Sequence, residues 1–166
     1  AGTRASGRIA GEAGLGAGEP VGCWKGCGGT NNTGGVCVET YTWAAGVAAL
    51  TSQIAVFTTS HLPTGHPLFA AKQAVTIDHS SGGRFGLNIL CGRYGAERLM
   101  FSGHMMGHGK RYAYAEEWQA IAKNELAQQT PSDLKGAYSH ICGAIPQPQP
   151  PQKPTQTHAC ASPGAP

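Results

Sequence analysis

Two short apolar runs, Gln53–Ser60 (QIAVFTTS) and Arg84–Cys91 (RFGLNILC), constrain this chain most, because a stretch of helical spacing stands between them. Runs of this length and character suit strands buried on both faces of a sheet. Pro63, Gly65 and Pro67 mark a loop after the first run, and Pro67 suits the first turn of a helix. Leu68, Ala71, Val75 and Ile77 or Asp78 then fall at helical spacing until Ser81-Gly82-Gly83 closes the element. Helices alternating with short buried strands argue for parallel βαβ units in an α/β layer architecture. Spacing alone does not distinguish a closed barrel from an open sheet.

The flanking segments extend the alternation. Glu39 to Ser52 reads as a helix, with Trp43, Val47 and Leu50 at i, i+4 and i+7 as its apolar face. A third helix is expected from about Lys110 to Gln128, after a loop holding Gly103, Gly107 and Gly109. Leu134 to Cys142 (LKGAYSHIC) has the form of a short hairpin around Lys135-Gly136, and a proline-rich tract (IPQPQPPQKP) begins at Ile145. Residues 1–35 are dense in glycine, and each glycine costs roughly 0.5–1 kcal/mol inside an element. The expected division is therefore a glycine-rich segment over 1–37, an α/β domain over 38–145 and a proline-rich connection over 146–166.

Composition removes several function classes. A formal charge of +3, with no basic cluster longer than Lys110-Arg111, lacks the footprint of a nucleic-acid binder. No apolar stretch approaches the roughly 18 residues that span a bilayer, and the first residues have no signal-peptide core. Six cysteines without regular spacing read as reduced thiols, which points to the cytoplasm. Cys23 with Cys27, and His104 with His108, stand four apart, yet neither is matched by the second close pair that a zinc site wants, so no metal is expected. Cys91 has no visible base, which discounts hydrolase chemistry.

Residues 39–43 (ETYTW), 58–67 (TTSHLPTGHP), 70–92 (AAKQAVTIDHSSGGRFGLNILCG) and 111–118 (RYAYAEEW) settle more than periodicity can. Together they resemble the flavin-dependent monooxygenases of the bacterial luciferase-like family, in particular the two-component branch acting on alkanesulfonates, dimethyl sulfone and pyrimidines. The likeness runs from about Trp24 to Ile145, and TIDHSSGGRFGLN is its most specific stretch. The resemblance implies a (β/α)8 TIM barrel that uses reduced FMN, supplied by a separate flavin reductase, to oxygenate a small organosulfur or heterocyclic substrate with molecular oxygen. Such a barrel needs about 250 residues. The chain is accordingly expected to be a fragment covering about strands 2 to 5, an incomplete barrel that a second copy could complete as a homo-oligomer.

The resemblance also supplies candidate site residues. Asn88 matches a flavin-contacting asparagine, and its amide offers donors and acceptors to a ring edge. Glu97 matches a flavin-contacting carboxylate. Arg111 and Tyr112 match an arginine–tyrosine pair, and an arginine at a helix N-terminus suits a phosphate. Ser162 matches a serine that holds the phosphate, and Gly22 and Cys23 match positions touching the flavin. His61 and His66 flank the loop after the first strand, on the side where barrel sites gather, and His61 is the candidate catalytic proton donor.

Departures from the family pattern are Gly14-Leu15-Gly16-Ala17 where an aromatic and an aspartate are usual, and Arg93 in place of a tryptophan. Thr155–Ser162 (TQTHACAS) is also too polar for a buried barrel strand. They keep open a non-catalytic remnant of the flavin-binding scaffold, whereas ETYTW and TIDHSSGGRFGLN favour the FMN branch over deazaflavin-dependent oxidoreductases. PQPQPPQKP could also serve proline-binding modules, although an extended connection is the plainer reading.

Overall fold

A computed structural model describes residues 38–91, 101, 106–145, 147–153 and 157–158. In chain order its elements are α1 (Thr40–Leu50), β1 (Val56–His61), a 3-10 turn (Leu62–Thr64), α2 (Pro67–Ser81), β2 (Phe85–Leu90) and α3 (His108–Ala127). The hairpin strands β3 (Ser132–Lys135) and β4 (His140–Ala144) follow, then β5 (Thr157–His158). β1, β2 and β5 form a parallel sheet in the order β1-β2-β5, and β3 and β4 pair antiparallel apart from it. The parallel α/β pattern expected from the strand–helix–strand spacing is therefore what the backbone adopts.

α1 starts where it does because Glu39 caps it. The Glu39 carboxylate accepts from the amides of Tyr41 (3.0 Å) and Thr42 (2.7 Å), satisfying two of the free first-turn donors. Thr40 Oγ1 donates to the Thr59 carbonyl at 3.0 Å, tying this end of the helix to the carboxyl end of β1. The buried face differs from the expected one. Tyr41, Ala44, Val47 and Ala48 turn inward, whereas Leu50 is 86% exposed and Trp43 lies outside. Buried alanines on α1 and on α2 (Ala70, Ala71, Ala74) let the helices lie close to one another and to the sheet.

Both ends of α2 follow their sequence signals. His66 is its N-cap, accepting from Leu68 N at 3.3 Å through Nδ1, with Pro67 as the first residue. Gly82 (φ 67°) and Gly83 (φ 85°) take the left-handed conformation that ends the helix, and Gly83 N donates to the Asp78 carbonyl at 2.9 Å. Arg84 follows at the amino end of β2. Its guanidinium donates to the carbonyls of Ser81 (2.6 Å), Thr51 (2.6 Å), Ala48 (3.1 Å) and Ile54, so one side chain fastens the end of α1 and the approach to β1.

The proline-rich segment is docked. The Gln147 carbonyl accepts from Lys72 Nζ, the Gln149 carbonyl bonds His79 Nε2 (2.8 Å), and Gln152 N donates to Asp78 Oδ2 (3.1 Å). Residues 147–153 thus lie along α2, and Thr157 and His158 of β5 pair with Leu87 and Asn88. Polarity did not keep this segment out of the sheet, because ladder pairing is made by the backbone.

Candidate functional site

Alternation along β1 and β2 divides their side chains between two faces. Val56, Thr58 and Ser60 with their register partners Phe85, Leu87 and Ile89 are buried. The opposite face carries Phe57, Thr59 and His61, paired with Gly86, Asn88 and Leu90. All of these except Gly86 are half-buried, so this face is the more open one. At its carboxyl end Asn88 Nδ2 donates to Thr59 Oγ1 at 3.3 Å, which orients the amide across the strand pair. His61 is the last residue of β1, one layer further on the same face. The structure therefore brings His61 and Asn88 to one rim, where parallel α/β folds place their chemistry.

Arg111 and Tyr112 lie in the first turns of α3, both half-buried. Cys91, immediately after β2, has its thiol pushed up by burial, while the nearby Arg111 guanidinium opposes that rise. The Arg111 charge thus acts on the thiol that follows β2. The N-cap of α3 is Gly107, which provides no capping side chain, and the Cα positions of Gly107 and Gly109 face open space. Among the described residues no side chain caps this turn, and an arginine in it suits an anion. Gly22, Cys23, Glu97 and Ser162 lie outside the described residues. His66, exposed, acts as a helix cap.

Sequence reading missed the supports of this rim. Trp118, 1% exposed, donates Nε1–H to the Gly65 carbonyl at 2.9 Å, and Tyr114 OH reaches the Leu62 carbonyl at 3.4 Å. Standing four apart on α3, the pair holds the loop that follows His61; the aromatic spacing within RYAYAEEW was the available signal. Between them Glu117 accepts from Ala137 N (2.7 Å) and Tyr138 N (3.0 Å), docking the hairpin turn on α3. Gly136 lies against that carboxylate: a Cβ there would fall 2.3 Å from the Glu117 carboxyl carbon, so a larger residue would require the Glu117 side chain to shift. Tyr138 meets Tyr114 edge to face, with ring centroids 5.5 Å apart.

Thr59 was missed as well, because its role as the Asn88 partner depends on strand register. On the buried face the Tyr41 hydroxyl approaches Thr58 and Ser60 without a well-formed hydrogen bond, and burial pushes its pKa up to about 12. That group is shut away from the open face and belongs to the packing.

The family model described as luciferase-like monooxygenase matches residues 11–165. Pyrimidine monooxygenase RutA of a Bradyrhizobium species is 37% identical over 132 residues, covering 78% of this chain and 36% of that protein. The RutA protein of Acinetobacter baylyi is 38% identical over 117 residues, covering 68% of this chain and 31% of its own length. The chain thus spans about a third of the curated relatives that it matches. Among solved structures, EDTA monooxygenase of Chelativorans superposes with a TM-score of 0.74 at 18% identity, over 95% of this chain and 41% of that one. DmoA of Hyphomicrobium sulfonivorans gives 0.64 at 16% identity, over 74% of this chain and 31% of its own.

Proposed function

Because the chain belongs to the luciferase-like monooxygenase family, we propose that it carries part of the flavin site of an oxygenase using reduced FMN and molecular oxygen on a small heterocyclic substrate. The pyrimidine monooxygenases at 37–38% identity support a heterocycle ahead of an organosulfur compound. The observation that carries the reading is the rim at the carboxyl ends of β1 and β2: Asn88, oriented by Thr59, with His61 one layer further on the same face.

The residues present fit FMN. A planar amide on an open sheet face suits a flavin ring edge, and an arginine at an uncapped helix start suits a phosphate. Asn88 would hold the ring, while Arg111, Tyr112 and the first-turn amides of α3 would hold the phosphate end. Gly22, Cys23, Glu97 and Ser162 would add contacts from outside the described residues. Reduced FMN, when bound, supplies the electrons that activate dioxygen, with one oxygen atom entering the substrate and the other leaving as water. His61, at the end of β1, would pass a proton to the reacting substrate from its imidazole. Trp118 and Tyr114 keep its loop in place, and the apolar residues of the face limit access of water. A flavin reductase would deliver the reduced cofactor.

The test is an anaerobic titration of the chain with oxidised and reduced FMN, followed by fluorescence and calorimetry. Saturable one-to-one binding is expected, weakened about tenfold or more by Asn88→Ala, which is the loss of roughly 1.4 kcal/mol of polar contact. Reductase-coupled turnover with pyrimidines then reads the substrate class. Absence of FMN binding by a cooperatively folded chain would leave a scaffold remnant without the function.

A further inference from the structure

Phe57 and Gly86 are register partners on the open face of the sheet, one layer toward the amino end from Thr59 and Asn88. A Cβ built on Gly86 would lie 2.3 Å from Phe57 Cε1 and 2.6 Å from Cδ1. Since real Cβ contacts do not come this close, the Phe57 ring must lie across the Gly86 backbone and fill the space of the missing side chain. Two residues of strand advance separate this layer from the Thr59–Asn88 layer, a rise of about 6.6 Å. That leaves an aromatic surface beneath an amide whose orientation Thr59 fixes at 3.3 Å. Such a pairing suits a planar heterocycle that stacks by its face and hydrogen-bonds by its edge.

We propose that Phe57, laid over Gly86, is the floor of the flavin-ring subsite and sets its depth. The inference rests on the flavin reading above and adds a specificity-determining pair to it. Gly86 then serves by the room it leaves to the ring: any side chain there displaces Phe57 from its place and alters the depth of the subsite.

The experiment measures FMN affinity and urea unfolding of the chain for wild type, Gly86→Ala, Phe57→Trp and the double variant Phe57→Leu/Gly86→Ala. Gly86→Ala and Phe57→Trp should each loosen FMN about tenfold or more, a shift of roughly 1.4 kcal/mol. Competition by inorganic phosphate, which reads the other end of the cofactor, should stay unchanged. The double variant, in which a smaller side chain accepts the new methyl group, should regain the urea stability lost by Gly86→Ala but not the FMN affinity, because leucine offers no ring face on which the flavin can stack. Phe57→Trp reads the same depth without touching β2, so a poorly folded Gly86→Ala does not decide the matter. Wild-type affinity in both Phe57→Trp and Gly86→Ala, or equal weakening of FMN and phosphate, would overturn the floor. A wild-type chain that binds no FMN would instead overturn the flavin reading, and the floor with it.

Discussion

Replacing Arg84 should reveal how the amino end of the sheet is held. Its guanidinium donates to four backbone carbonyls, those of Ser81, Thr51, Ala48 and Ile54, drawn from three separate places in the chain. Hydrogen bonds from a charged donor contribute about 1.5–3 kcal/mol each, so a simple sum would reach roughly 6–12 kcal/mol. That sum is too large, because Arg84 is half-buried and water can reach some of the released carbonyls. The arginine must also give up side-chain entropy to hold this geometry. A net loss of about 3–4 kcal/mol is expected for Arg84→Ala, a large part of a stability that is typically about 5–15 kcal/mol. For a chain of this size the melting temperature should fall by roughly 6–16 °C. Arg84→Lys should recover only a minor share, since a single ammonium cannot reach carbonyls spread around a planar fork. Urea unfolding of the three proteins, with the slope checked for constancy, measures the effect. A loss below about 1 kcal/mol for Arg84→Ala would refute the reasoning, by showing that solvent serves those carbonyls as well as the guanidinium does.

Two other perturbations probe the opposite end and the buried face. Trp118→Phe removes the 2.9 Å bond to the Gly65 carbonyl and leaves unfilled volume around a residue 1% exposed. It should cost about 2–3 kcal/mol and speed amide exchange over residues 62–66, read by mass spectrometry; unchanged exchange there would sever α3 from the loop. Tyr41→Phe should be close to neutral at pH 7, because the lost hydroxyl is buried without a well-formed partner. Its pKa is raised from 10.0 to about 12, so the folded state keeps the proton that the unfolded chain releases. The contribution of the neutral phenol is fully present below pH 10 and is lost as pH rises toward 12, with a limiting slope of about 1.4 kcal/mol per pH unit. Phenylalanine removes that term, so the stability difference between variant and wild type should grow across that window in denaturant titrations. A difference independent of pH would remove Tyr41 as its source.

The backbone plan was legible in the sequence because its signals are local. Apolar strand runs, a proline at a helix start and a Gly-Gly stop act through neighbouring dihedrals, and α2 and β2 form within a residue or two of their expected bounds. Faces were less legible. Trp43, Val47 and Leu50 make the bulkier stripe of α1, yet Ala44 and Ala48 are buried, because close packing against α2 and β1 rewards small side chains over large ones. Polar residues in β1 misled in a related way: Thr58 and Ser60 sit on the covered face, while Thr59 stands on the open one and orients Asn88. Which of three successive hydroxyl residues serves the site depends on register, and register is set by β2.

The two ends of the β1–β2 pair consequently have different tasks. At the amino end Arg84 binds α1, β1 and α2 together through carbonyls that any sequence would offer, so its contribution is to stability. At the carboxyl end Thr40, Tyr114 and Trp118 hold backbone carbonyls of residues 59–65, while His61, Thr59 and Asn88 stand on the open face of the strand pair. The proton-donor role proposed for His61 needs this division, because binding geometry is lost over displacements of about 1 Å. The specific motif TIDHSSGGRFGLN spans both tasks in one stretch, with Arg84 as the fastening and Gly86 and Asn88 as the surface. Damage at Arg84 should therefore lower stability first and flavin affinity only as β2 shifts. Damage at Gly86 should lower affinity with the Arg84 carbonyl bonds intact, so one protein can report the two ends separately.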